Sequence, residues 1–302
     1  NFHQKSSTPI FLKGNPILLF NARSGIKLVI DQLNPKQVWL PSYLCPDILT
    51  AIDPKISIIK FYPVDFHLKI SSLSFIKLLQ PGDLFLIIDY FGFPFDTELI
   101  NEIKLRDVMI FRDCNQSLFH DWRNDQCDFF LYSPRKFLGI PDGGILHIRD
   151  KNKIKIKKLS PPEYKILYQF FCALISRREF DIYGVDQEWF HYFQRGEAQL
   201  FPSMSSMSDL SLMLLKMAFD YPQIQKQRRR NYLVLTQKLR KFTIYPDLSN
   251  AIVPLGFPIV VKNRDSIRQK LFKYNIFPPV HWNIEDLFQK NLIKVTIYLK
   301  VS

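Results

Sequence analysis

The chain has 302 residues, of which 47% are hydrophobic, and it carries 41 basic against 28 acidic side chains for a net charge of +13. That length suits one large domain plus a smaller one, and the apolar share excludes general disorder. No apolar run reaches the roughly 18 residues needed to span a bilayer. The basic excess suits a phosphorylated ligand, a nucleic acid or an anionic membrane surface.

The N-terminal stretch Asn1–Phe11 has no signal-peptide architecture. Pro16–Phe20 is a buried-strand candidate, followed by a helix from about Ser24 with Ile26, Val29, Ile30 and Leu33 on one face. Gln37–Pro41 reads as a strand, and Pro46–Ile52 as a helix opened by proline. Ile56–Val64 (strand), Ser72–Gln80 (helix), Asp83–Phe91 (strand) and Thr97–Leu105 (helix) continue the alternation. Three further strands, Asp107–Asp113, Cys127–Ser133 and Gly143–Arg149, follow, the last able to pair antiparallel. The lysine-rich stretch Arg149–Lys158 alternates like an edge strand or hairpin.

The second half opens with a helix over Pro161–Phe180 and an aromatic loop over Phe180–Phe193. Ser208–Tyr221 and Pro222–Phe242 form a helix pair, with the basic run Lys226–Arg230 as a solvated face. A strand (Ile252–Val261), a helix (Arg264–Asn275) and the segment Ile276–Trp282 suggest a small α+β unit. The expected division is a large domain over 1–220 and a smaller one over 221–302. Four cysteines without CxxC spacing read as reduced thiols, which leads to the expectation of a cytoplasmic protein.

Strands that are apolar on both faces and separated by helices imply an α/β domain with a mostly parallel sheet. Ligands of such sheets bind beyond the carboxyl ends of the strands. Asp113 closes one strand, before Cys114, Asn115, Gln116 and Ser117; it is either a helix cap or half of a buried ion pair. Ser133 and Lys136 close the next, just before Gly143 and Gly144. Asn21–Gly25 is either an anion cradle at a helix start or an N-cap by Ser24. Asp89, Tyr90, Phe91 and Gly92 wall a pocket or pack in the core. A lysine, a carboxylate, a phosphate cradle and aromatic walls are the set that pyridoxal phosphate requires.

In order along the chain, NARSGIKLVIDQL, VWLPSYLCPDILTAI, DYFGFPFD, IFRDCNQSL, DFFLYSPRKFLGIPDGGIL, RRRNYLVLTQKL and NIFPPVHW resemble the motifs of fold-type-I pyridoxal-phosphate enzymes. Specifically, the chain resembles the DegT/DnrJ group of nucleotide-sugar aminotransferases. The resemblance implies a large domain with a mostly parallel mixed sheet and a smaller α+β domain, shortened because the chain stops at KVTIYLKVS. It implies Lys136 as the Schiff-base lysine and proton shuttle, Asp113 on the pyridinium nitrogen and Gln116 near the phenolic oxygen. Ser133, Ser24 and the backbone around Arg23 and Gly25 would hold the phosphate.

Three departures stand out. Cys45 occupies the place of the usual ring-stacking aromatic, with Tyr43 or Tyr90 as candidates to stand in; Arg23 stands where the family has glycine; and Met204–Asp209 lacks an asparagine that many members lend to the partner's site. His281 and Trp282 are candidate sugar contacts. The implied activity is transfer of an amino group from glutamate or glutamine to a nucleotide-linked ketosugar, by a homodimer, with no metal, membrane or nucleic-acid partner. A dehydratase is the second enzymatic reading, disfavoured because such relatives exchange this lysine for histidine. A non-catalytic scaffold or regulator is the third.

Overall fold

The structure is a computed structural model that describes residues 8–155, 158–184, 187–282 and the backbone of 296–300. Its first layer is a seven-stranded sheet built from β1 (Ile17–Leu19), β2 (Gln37–Pro41), β3 (Ile58–Tyr62), β4 (Leu84–Ile88), β5 (Met109–Asp113), β6 (Phe129–Tyr132) and β7 (Gly144–Ile148). Every residue of β4, β6 and β7 is buried, which explains why those strands read as continuous apolar runs rather than alternating ones. The spatial order is β1-β7-β6-β5-β4-β2-β3, with β7 antiparallel to both of its neighbours and the remaining pairs parallel. The α/β expectation holds, including the reversed strand.

Helix α1 (Ala22–Leu33) buries Ile26, Val29 and Ile30. It approaches the sheet closely at Gly25, where a Cβ would lie 2.6 Å from Leu131 Cδ1. At Gly144 a Cβ would lie 2.5 Å from the Asn21 carbonyl, so the start of β7 passes directly under the first turn of α1. The segments at Pro46–Ala51 and Ser74–Leu78 form 3₁₀ turns rather than α-helices. They are short, and i→i+3 bonds close them before an α-helix can propagate. Helix α2 (Thr97–Lys104) is capped by Asp96.

Helices α3 (Tyr164–Tyr183) and α4 (Glu188–Gln199) pack as a hairpin. The aromatic stretch expected to be a loop is thus largely helical. The N-cap of α4, Gln187, makes no side-chain cap bond, so the sequence carries no start signal there. Helices α5 (Asp209–Met217) and α6 (Tyr221–Leu239) start at Ser208 and Asp220 caps. Along the basic run of α6, Arg228 turns inward instead of facing solvent and donates to the carbonyls of Leu255 and Phe137, both at 3.1 Å. Among the described residues of 149–158 there is no strand beyond β7; Asp150 accepts from Asn152 N–H and turns the chain into a 3₁₀ turn, and residues 156 and 157 lie outside the description.

A second, three-stranded antiparallel sheet holds β8 (Gly256–Ile259), β9 (Val280–His281) and β10 (Thr296–Lys300) in the order β8-β10-β9, with α7 (Arg264–Phe272) between β8 and β9. No helix among the described residues is long and apolar enough to cross a membrane.

Candidate active site

A cavity of about 500 Å³ opens where the carboxyl ends of β4, β5 and β6 meet the N-terminus of α1. Its lining brings together Arg23, Cys45, Asp113, Gln116, Ser133, Lys136, His281 and Trp282 from the sequence-derived candidates. Ser24, Gly25, Tyr43 and Tyr90 do not line it. The first of these is fully buried, and its hydroxyl is spent within the protein: it donates to Asn21 Oδ1 at 3.2 Å and accepts from Ser203 N–H at 3.0 Å. Asn21, not Ser24, caps α1, with Oδ1 accepting the Ser24 N–H at 3.1 Å. That leaves the first amides of the helix, on Ala22 and Arg23, at the cavity wall, where the helix dipole favours an anion. Gly25 serves helix–sheet contact. Tyr90 donates from its hydroxyl to the Tyr43 carbonyl, and both rings back Trp282, at 6.4 and 5.3 Å between centroids. Of that aromatic trio, only Trp282 reaches the cavity.

Asp113 ends β5 buried, with Oδ1 accepting the Asn115 N–H at 2.8 Å. Burial lifts its pKa to about 6, against the opposing pull of the Lys136 charge and that N–H. A carboxyl with a folded pKa above its unfolded value contributes stability below about pH 4 that is lost as pH rises through about 6. Asp113→Asn keeps the acceptor and removes the charge. Thermal or urea unfolding of the ligand-free protein at pH 8 is therefore expected to show a gain on the order of 2 kcal/mol that vanishes at pH 4. A loss at pH 8 would show that the carboxylate is already compensated.

Lys136 sits half-buried in a 3₁₀ turn over Pro134–Lys136, its N–H bonded to the Ser133 carbonyl at 3.1 Å. Its ammonium acts on three cavity groups: it lowers the pKa of Asp113, of the Cys45 thiol and of His281. Burial, reinforced by that charge, pushes His281 down to about 3, so it is a neutral ring at ordinary pH. For Cys45, burial dominates and pushes the thiol up. Gln116 is aimed by its neighbour: Oε1 accepts the Phe91 N–H at 2.8 Å, which leaves its NH₂ as the group to offer a ligand.

Several lining residues are not evident from the sequence. Asn115 is buried, and its Oδ1 has no hydrogen-bond partner among the described residues. Arg135, beside Lys136, pairs with Glu197 of α4 at 2.8 Å. Phe193 and Leu200 come from the same helical region. The position of Arg135 next to the lysine is a usable signal; nothing local announces Glu197.

No family model matches the sequence, and no curated protein does either. Solved structures do match. Helicobacter pylori PseC, an aminotransferase of pseudoaminic acid biosynthesis, superposes with a TM-score of 0.66 at 16% identity over 96% of this chain and 82% of its own. A DegT DnrJ EryC1 StrS aminotransferase from Brucella abortus gives 0.61 at 14% identity, over 95% and 81%. The chain has the sugar-aminotransferase fold. NtdA from Bacillus subtilis, solved with the cofactor PMP bound, gives 0.64 at 16% identity over 96% of this chain and 69% of its own. That likeness agrees with the seven-stranded, mostly parallel sheet flanked by helices. It bears out the fold-type-I architecture expected from the motif order.

Proposed function

We propose that the chain is a pyridoxal-phosphate-dependent aminotransferase that moves an amino group from glutamate or glutamine to a nucleotide-linked ketosugar. The observation that carries the reading is the meeting of Lys136 and Asp113 in one cavity beside the free amides of α1. The donor set fits the cofactor: a lysine, a buried carboxyl, a hydroxyl, two helix-end amides and an orphaned buried oxygen on Asn115.

When bound, pyridoxal phosphate supplies an aldehyde and an electron sink. Lys136 Nζ would hold the cofactor at that carbon and, as an amine in the cavity wall, would serve as the base that moves the proton at the donor's Cα. Asp113 holds the pyridine nitrogen protonated, and the cation it meets there offsets the cost of its burial. Gln116 donates to the phenolic oxygen. Ser133 and the amides of Ala22 and Arg23 hold the phosphate. His281, Trp282 and Cys45 wall the space for the acceptor sugar, and the chain's positive charge suits a diphosphate carrier. Exposed aromatics on α3, Tyr164, Tyr168 and Tyr183 among them, support a homodimer through that face. Four free cysteines support a reducing, cytoplasmic setting.

The test is spectroscopic. Protein reconstituted with pyridoxal phosphate is expected to show a visible absorption that borohydride abolishes, and glutamate or glutamine is expected to convert it to pyridoxamine phosphate with release of the 2-oxo acid, read by mass spectrometry. A stable absorption that no amino donor alters would favour the non-catalytic reading, which the thiol at position 45 supports. Absence of any absorption would reject the cofactor.

A further inference from the structure

Two arginines in the cavity wall share one carboxylate. Arg23, in the first turn of α1, lies 3.7 Å from Glu197 Oε2, and Arg135 lies 2.8 Å from Glu197 Oε1. Both guanidinium side chains are only 16% exposed, whereas Glu197 is 34% exposed. The cations are also fixed in other ways. The Arg135 guanidinium stacks over the Phe170 ring at 3.9 Å, and Arg23 has a second partner in Asp47 at 3.4 Å. Glu197 is carried there by α4, whose neighbouring Gly196 packs so closely that a Cβ would lie 2.7 Å from the Phe170 ring. The anion is thus the more exposed member of the trio, and the two guanidinium groups are the more buried and have further partners.

Resting on the aminotransferase reading, we propose that Arg23 and Arg135 form an oxyanion subsite for the substrate, occupied in the resting protein by the Glu197 carboxylate, which the substrate's anionic group displaces. The two arginines approach different oxygens of one carboxylate, Arg135 with a hydrogen bond at 2.8 Å and Arg23 as an ion pair at 3.7 Å, and guanidinium groups so placed also receive a phosphate. Arg23, Arg135 and Lys136 line one cavity, so an anion held by the arginines would share that space with the molecule the lysine handles. The group recognised is a carboxylate or a phosphate. A dicarboxylic amino donor supplies the first and a nucleotide-sugar diphosphate the second. Glu197 then acts as a built-in competitor: it keeps the arginines paired when no substrate is present and sets how strong an anion must be to enter.

The experiment is calorimetric titration of the parent, Glu197→Gln and Arg135→Met proteins with glutarate and, separately, with uridine diphosphate, each with and without pyridoxal phosphate. Glu197→Gln removes the competitor and is expected to tighten binding of the matching probe about tenfold; Arg135→Met is expected to weaken it about tenfold. A response to glutarate assigns the subsite to the amino donor, and a response to uridine diphosphate assigns it to the sugar carrier. If neither probe changes in Glu197→Gln, or if only the affinity for pyridoxal phosphate changes, the subsite is overturned. The cofactor-free arm makes that failure distinguishable from failure of the aminotransferase reading, which falls instead if neither the parent nor any variant takes up the cofactor.

Discussion

Lys136→Ala is expected to lower amino transfer by at least ~10³-fold and to abolish the borohydride-sensitive absorption, with little change in melting temperature at pH 5. The small stability cost follows from the surroundings: Lys136 is half-buried and makes no ion pair among the described residues, so its loss strands no partner. What it does change is electrostatic. The Lys136 charge opposes the burial that lifts Asp113, so without it the Asp113 pKa rises further above about 6. A more elevated folded pKa means more stability lost as pH climbs, and the drop in unfolding free energy between pH 5 and pH 8 should be larger in Lys136→Ala than in the parent. Lys136→Arg separates the two roles. It restores a positive charge, and with it the parent-like pH profile, but offers no amine of usable nucleophilicity, so transfer stays abolished. Added methylamine should return part of the activity to the alanine variant. Full activity in either variant would remove Lys136 from the chemistry.

What can be read from the residues follows from the range over which each feature is determined. β4, β5 and β6 are buried on both faces, so their composition alone marks them as interior strands. Asp113 and Lys136 stand out because a charge at the end of such a strand demands a reason. The cap of α1 lies three residues before the expected Ser24, since Asn21 and Ser24 are both good caps and only the structure shows Ser24 sealed by Ser203. The aromatic stretch before Phe193 hides α4 because aromatic residues crowd a helix and blur its pattern, and Gln187 gives no start. Arg228 reads as solvated because its neighbours are basic, yet its two carbonyl partners, Phe137 and Leu255, are 91 and 27 residues away. The Arg135–Glu197 contact likewise depends on where the hairpin of α3 and α4 packs, the partners being 62 positions apart.

Arg112→Met is expected to destabilise the protein by about 3–5 kcal/mol, enough to lower the melting temperature by on the order of 10 °C. Arg112 precedes Asp113 on β5, so the strand's alternation sends the two side chains to opposite faces of the sheet. It is 2% exposed and grips Asp89, fully buried at the end of β4, through Nε at 3.0 and 3.1 Å and Nη2 at 2.8 Å. Its remaining arm reaches Asp125, which also receives His120 Nε2 at 3.0 Å and the Cys127 N–H at 2.8 Å. Burial works against the charged form of Asp125, but the His120 bond and the Arg112 charge outweigh it and hold the carboxyl below its usual range. Asp89, Cys114 and His120 bring ligand atoms within 4.8 Å of one another, yet the guanidinium already supplies the cation there. Removing it leaves the buried Asp89 carboxyl, among the described residues, only the Ser117 hydroxyl, the Phe95 N–H and a long Cys114 contact. Removing both partners should cost less than removing one, because no buried charge is then orphaned. Asp89→Leu added to Arg112→Met is accordingly expected to recover part of the lost stability in urea unfolding, Asp125 keeping His120. The same lesion should reach the cavity, since the ends of β4 and β5 are registered Ile88 to Asp113 and this ion pair ties them from behind. The single variant should therefore bind pyridoxal phosphate more weakly, and the double variant should regain affinity along with stability. A double variant no more stable than Arg112→Met would mean that the arginine acts through packing rather than by neutralising Asp89.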